Sequence, residues 1–195
     1  MKKQVEAKIP TPWGEFKMVA YADSINEYNP QLAMSSEQFD PEGEVLVRIH
    51  SECMTGDVFG SKRCDCGQQL HQSLELISNT NGLLIYLRQE GRGIGLINKL
   101  KAYNLQDEGV NTKDANVHLG FEPDQRTYEM AIAIMKDLGI KKIRLLTNNP
   151  DKIEIFKTSE IQFLERIPLE IKAGKENIEY LEAKRDFMGH LLSDL

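Results

Sequence analysis

The chain has 195 residues, 41% of them apolar and 28% charged, an ordinary globular mixture long enough to bury its own core. Lys plus Arg number 24 and Asp plus Glu 30, and the resulting charge of -6 argues against nucleic acid as the main partner. No run approaches the ~18 uncharged apolar residues of a membrane span, and no apolar stretch follows Lys2 and Lys3 to make a secretory signal, so the expectation is a cytoplasmic chain with no membrane partner.

The first forty residues are the least regular. A turn is expected at Pro10 to Gly14, then a strand over Glu15 to Tyr21, with loops at Asn29-Pro30 and Asp40 to Gly43. Val45 to His50 alternates apolar and polar residues, which predicts a half-buried strand. Gln68 to Ser78 reads as a helix carrying Leu70, Leu74, Leu76 and Ile77. Leu83 to Leu87 is a short buried strand. Ile94 to Leu105 predicts a helix with Ile97, Leu100 and Leu105 on roughly one face. Tyr128 to Leu138 predicts another, with Gly139 as its C-cap. Ile143 to Thr147 is a buried strand, and Asn148-Asn149-Pro150 opens a helix with proline early in it. A late strand over Glu165 to Ile171 and a closing helix over Glu176 to Leu192 complete the order. Strands and helices alternate throughout. The expected fold is α/β (mixed α+β), one compact domain over residues 1–195 with a mixed sheet flanked by helices.

The three cysteines, Cys53, Cys64 and Cys66, are clustered and odd in number, a poor disulfide framework. They read better as metal ligands. Thiolates are soft donors suited to zinc at ~2.3 Å. Cys64-Asp65-Cys66 places two on one short stretch, and the loop from Cys53 returns the third. A structural zinc has four protein ligands, a catalytic one three and an open position. An open position is expected, with His50 and His71 the near candidates if a histidine completes the set. Three buried cysteines without a metal would look the same in sequence.

Arg88-Gln89-Glu90-Gly91-Arg92-Gly93-Ile94-Gly95 follows a buried strand and opens a helix, where amide groups favour anions and forked arginines match phosphate oxygens. The glycine spacing fits neither the dinucleotide fingerprint nor the P-loop. Asp124 is placed to cap the helix that follows it, which would put Arg126 in the first helical turn, where a cation opposes the helix dipole. Thr147 to Lys152 joins a strand to a helix, where α/β folds bind ligands.

Taken together, Arg48 to Cys53, Thr55-Gly56-Asp57, Arg63 to Gly67, Arg88 to Leu96, Leu119-Gly120 with Asp124 and Arg126, and Thr147 to Pro150 resemble GTP cyclohydrolase II, in order and in spacing. The similarity runs from about Pro10 to Leu191. The length leaves no room for the fused second domain that many members carry, so the resemblance implies the single-function form. It implies an enzyme of riboflavin biosynthesis that hydrolyses GTP, opening the guanine imidazole ring and releasing formate and pyrophosphate. Zinc ligands fall on Cys53, Cys64 and Cys66. Nucleotide contacts fall on Arg48, Ile49, His50, Ser51, Glu52, Gln69, Glu90, Gly91, Arg92, Thr112, Thr147 and Lys152, with Glu90 placed to read guanine's donor pair. Asp124 matches the proton acceptor, Arg126 the nucleophile, and Tyr103 a residue of the ring-opening step. The resemblance further implies Mg2+ on the triphosphate and a homodimer.

The arginine role sits awkwardly with chemistry, since a guanidinium stays protonated at neutral pH. Transition-state stabilisation suits Arg126 better. Two other classes are weighed on the same residues. A zinc deaminase would need His-x-Glu and Pro-Cys-x-x-Cys, and neither motif is present. A non-catalytic zinc-stabilised nucleotide sensor would release no formate.

Overall fold

A computed structural model describes residues 1–193, with all their side chains except those of Thr112, Lys113, Glu179 and Phe187. The chain divides into two compact units. The first comprises Met1–His50, Gln69–Arg88 and Tyr128–Leu169, and the second Ser51–Gln68, Gln89–Thr127 and Glu170–Leu195.

The first unit is built on a seven-stranded mixed sheet: β1 (Lys2–Thr11), β2 (Gly14–Ala22), β3 (Gln31–Ser36), β4 (Glu44–Ser51), β5 (Gly82–Leu87), β6 (Lys142–Leu146) and β7 (Gln162–Ile167), in the order β1-β2-β3-β5-β4-β6-β7. β1, β2, β3 and β5 pair antiparallel in sequence along the sheet, while β4, β6 and β7 pair parallel. The helices are α1 (Met54–Asp57), α2 (Cys66–Ser78), α3 (Gly95–Asp107), α4 (Thr112–His118), α5 (Glu129–Asp137), α6 (Asp151–Glu154) and α7 (Ile178–Met188). The mixed sheet flanked by helices is the fold class expected.

Strand alternation sorts the core of this unit into two layers. Val45, Val47 and Ile49 point to one face, where Val19, Leu83, Ile85, Ile143 and Leu145 meet Ala131, Ile134 and Met135 of α5. Leu46 points to the other, where Phe16, Leu84 and Leu146 meet Leu74 and Ile77 of α2. Each such side chain, once buried, stabilises by about 1.5–3 kcal/mol. The polar face of β4 is covered too: Arg48 is 5% exposed and His50 2% exposed, so this strand is buried on both sides rather than on one.

Several expected boundaries move. β1 and β3 fall where the sequence reads as irregular. β1 is mostly exposed, occupies the sheet edge and carries Lys3, Glu6 and Lys8, so it lacks an apolar period. The late strand ends at Ile167, and the closing helix begins at Ile178. On α3 the expected apolar stripe does not face inward: Ile97 is 73% and Leu100 46% exposed, and Ala102 is the buried residue. Gly139 lies just beyond Leu138, the C-cap of its helix, and at φ 79° it supplies the left-handed turn that ends it.

Candidate active site

In the first unit, the carboxyl ends of the parallel strands β4 and β6 carry a set of buried polar side chains. Val47 of β4 pairs with Leu145 of β6, so the next residues, Arg48 and Leu146, are neighbours. Arg48 donates through Nη1 to the Leu146 carbonyl at 3.0 Å and through Nη2 to Gln69 Oε1 at 2.6 Å. Lys152, 5% exposed, donates through Nζ to the Ile49 carbonyl at 2.8 Å and lies 5.3 Å from the centre of the Tyr128 ring. Thr147 Oγ1 accepts from the Asn149 amide at 3.0 Å, tying the turn after β6. Ile49 is a core residue, and the His50 ring stacks on Tyr86 at 5.4 Å. Two buried cations at the carboxyl ends of parallel strands suit an anionic ligand.

In the second unit the three sulfurs of Cys53, Cys64 and Cys66 lie within 4.8 Å of one another, and Cys53 Sγ is 3.7 Å from Cys64 Sγ. A tetrahedral zinc with Zn–S of ~2.3 Å spaces its sulfurs at roughly 3.8 Å, so the group fits the metal. The scaffold is shaped for the sulfurs. A Cβ on Gly56 would fall 2.9 Å from Cys64 Sγ and 3.2 Å from Cys53 Sγ, so only glycine leaves room there. Asp57 Oδ2 accepts from the Cys53 amide at 2.9 Å and holds the first ligand's backbone. Among the described residues, the metal-capable group is thiol only. Neither histidine completes it: His50 stacks on Tyr86, and the His71 ring sits 5.0 Å from that of Trp13.

Crowding three thiols sets their protonation. Hydrogen bonds from Cys64 and Cys66, helped by the Lys99 ammonium, hold the Cys53 thiol far below its ordinary value. The hydrogen bond with Cys53, then burial and the charge of that thiolate, push the Cys64 thiol up to about 11 and raise that of Cys66 as well. A dication is the natural means of keeping all three deprotonated.

Lys99 is the residue that the sequence did not single out. Its Nζ donates to Cys53 Sγ at 3.0 Å and to Glu90 Oε1 at 2.7 Å. Glu90, 8% exposed, also accepts from the Met54 amide at 2.6 Å and the Gly91 amide at 2.8 Å. A carboxylate offers about four acceptor sites. Three are taken by the protein. Gly91 permits this arrangement, because a Cβ there would sit 3.0 Å from Lys99 Cβ. A helix position nine residues past Glu90 has no local signal, so only the fold reveals Lys99.

Tyr103 completes that side. Its hydroxyl lies 3.5 Å from Thr55 Oγ1, itself 3.6 Å from Cys53 Sγ, and Arg63 lies 5.0 Å from its ring centre. Burial raises the Tyr103 hydroxyl above its ordinary value. Gln89 Nε2 donates to Ser51 Oγ at 3.0 Å, and Glu52 is half-buried.

Asp124 and Arg126 do not cap a helix. They lie in a segment without regular secondary structure, and α5 starts only at Glu129. The two side chains pair instead, Arg126 Nε to Asp124 Oδ1 at 2.9 Å and Nη2 to Oδ2 at 2.5 Å. Burial raises the Asp124 carboxyl, but the hydrogen bonds and charge of Arg126 outweigh it and hold the group below the usual carboxylate range. The Gln125 amide donates to the Arg92 carbonyl at 3.0 Å, which ties this segment to the glycine run. Arg92 has φ 63°, the one non-glycine residue with positive φ among those described. Such a conformation costs of order 1–3 kcal/mol and clusters at functional sites. Thr112 opens α4, and its side chain lies outside the described residues.

A sequence model of the GTP cyclohydrolase II family matches residues 2–168. The riboflavin biosynthesis protein RibBA of Chlorobium phaeovibrioides is 49% identical over 194 residues, covering 99% of this chain and 47% of that protein. RibBA of Bacillus cytotoxicus is 49% identical over 192 residues, 98% of this chain and 48% of the relative. The chain thus spans about half the length of these relatives. A GTP cyclohydrolase-2 of Shewanella pealeana is 45% identical over 195 residues, covering 100% of this chain and 93% of its own.

Proposed function

Because the chain belongs to the GTP cyclohydrolase II family, a family of hydrolases, we propose that it hydrolyses GTP to formate, pyrophosphate and 2,5-diamino-6-(5-phospho-ribosylamino)pyrimidin-4(3H)-one, the first committed step of riboflavin biosynthesis. The observation that carries this reading is the thiol trio at zinc spacing with Lys99, Glu90 and Tyr103 around it. Bound zinc supplies Lewis-acid activation of water for attack on the imidazole carbon.

The chain's own residues supply the rest. Three thiolates donate charge to a metal and blunt its acidity. The Lys99 ammonium on Cys53 draws part of that charge back. Asp124, ionised because Arg126 stands beside it, is the proposed proton acceptor. Arg126 stabilises charge on the phosphates as a fork rather than attacking as a nucleophile. Arg92, Gly91 and the stretch Ser51 to Glu52 are proposed nucleotide contacts of the second unit, with Thr112. Arg48, Ile49, His50, Gln69, Thr147 and Lys152 are those proposed for the first. Tyr103 is proposed to act in ring opening. Mg2+ on the triphosphate, a homodimer and a cytoplasmic setting complete the proposal. The metal is supported by the charge to be neutralised, the dimer by the family resemblance, and the setting by three thiols that need a reducing compartment.

The test is to incubate the zinc-loaded protein with GTP and with ATP and to measure formate and pyrophosphate together. Both products from GTP and neither from ATP are expected. Phosphate or pyrophosphate release with the guanine absorbance intact would make the protein a nucleotidase and overturn the reading.

A further inference from the structure

Asp65 stands between two of the three thiol ligands and is 2% exposed. Its Oδ1 accepts from Lys184 Nζ at 2.7 Å, and the lysine side chain is itself only 11% exposed. Lys184 belongs to α7, four residues after Tyr180, whose ring centre lies 4.4 Å from the ammonium. This helix follows residue 168, where the match to the family ends. Burying both charges is costly, and an apolar pair would serve stability as well. The pair is therefore better explained by what it positions.

We infer that α7 is part of the metal centre: by pairing with Asp65, Lys184 fixes the turn that carries Cys64 and Cys66. Rotation of residue 65 about its backbone swings the sulfurs on both sides. One side of the turn is held by backbone packing, because a Cβ on Gly67 would meet the Gly56 carbonyl oxygen at 2.3 Å. The carboxylate of Asp65 is a second point of attachment, and Lys184 is one of the groups that hold it. Lys184 is a positioning residue, acting on the metal through Asp65. The inference rests on the zinc reading of the three thiols.

The test is cobalt(II) titration of the metal-stripped, reduced protein, following thiolate charge-transfer and tetrahedral ligand-field bands. The parent should take one cobalt per chain. Lys184→Met should bind cobalt about 10–100-fold more weakly, with shifted bands, as loss of an outer-shell partner does. Lys184→Arg, which keeps the charge and can pair with the carboxylate, should restore most of the affinity. If Lys184→Met does not fold, the double variant Asp65→Asn with Lys184→Gln removes both buried charges and is titrated in its place, with the same weakening expected. Parental affinity and bands in folded Lys184→Met, or in the double variant, would overturn the inference. A lower Tm with unchanged cobalt affinity would overturn it too, since that is the mark of a purely structural pair. A parent that binds no cobalt would instead overturn the zinc reading beneath it.

Discussion

The carboxylate of Glu90 spends three hydrogen bonds on Lys99 and two backbone amides. If its role is to hold Lys99 against the Cys53 sulfur rather than to read guanine, two outcomes separate. Glu90→Gln halves the acceptor capacity and turns a donor either toward Lys99 and the Gly91 amide or toward the Met54 amide. It should lower kcat/KM for GTP by about 10–100-fold, the ~1.5–3 kcal/mol of a charge-assisted bond, and leave ATP unused. Appearance of ATP turnover in this variant would return Glu90 to the reading of guanine. The Asp124–Arg126 pair gives a pH prediction. Burial alone would raise the Asp124 carboxyl, and Arg126 holds it low. A depressed pKa keeps the base ionised, and the pair stabilising, above the ordinary carboxylate range; both effects fade as pH falls through the folded value. Arg126→Ala leaves burial in command, so the acid limb of the kcat/KM profile should move to higher pH. A limb that stays in place would remove Asp124 as the group reported. The cysteines were legible as a cluster able to hold a metal because their chemistry is local. The pairing of Asp124 with Arg126 was not, because an aspartate before a helical pattern looks like a cap, and only the start of the helix at Glu129 shows otherwise.

Among the elements, the tightest constraint lies where Gly56, in α1, meets Gly67, in the first turn of α2. A Cβ at 67 would fall 2.3 Å from one carbonyl oxygen and 3.0 Å from its carbon, and backbone cannot yield as a side chain can. Gly67→Ala should therefore destabilise by about 1–3 kcal/mol and lose zinc, as read by thermal melting and metal content. Gly60→Ala is the control. Gly60 has φ +63° with nothing within 4 Å of its Cβ position, so the change costs only about 1 kcal/mol of backbone strain and keeps the metal. Zinc retained in Gly67→Ala would show that the two segments can separate without cost to the centre. The elements themselves were readable where burial is one-sided. The helix of α5 and the strands β5 and β6 follow their apolar patterns. β1 was invisible because an exposed edge strand needs no apolar period, and α3 was misread because apolar residues on a helix need not face the core. β4 alternates, but its polar side chains are buried because Arg48 finds the Leu146 carbonyl and Gln69, and His50 finds Tyr86.

At the scale of the whole chain, two compact units divide the residues the sequence brought forward. The first holds buried cations at the ends of parallel strands, and the second holds the thiols with Lys99, Tyr103 and the Asp124–Arg126 pair. Motifs that sit within a few residues, such as Cys64-Asp65-Cys66, were legible from the chain alone. Partnerships across 46 residues, as from Lys99 to Cys53, or 119, as from Lys184 to Asp65, were not, because sequence spacing does not encode which helix returns to which loop. If the three thiols make this chain a zinc-dependent GTP hydrolase, its activity follows its metal. Formate release from GTP tests it most directly, measured on the protein stripped of metal and again after one equivalent of zinc is restored. No formate is expected without metal, full recovery with zinc, and no recovery in Cys66→Ser given the same zinc. Formate release that continues at the parental rate in the stripped protein, or in Cys66→Ser, would contradict it.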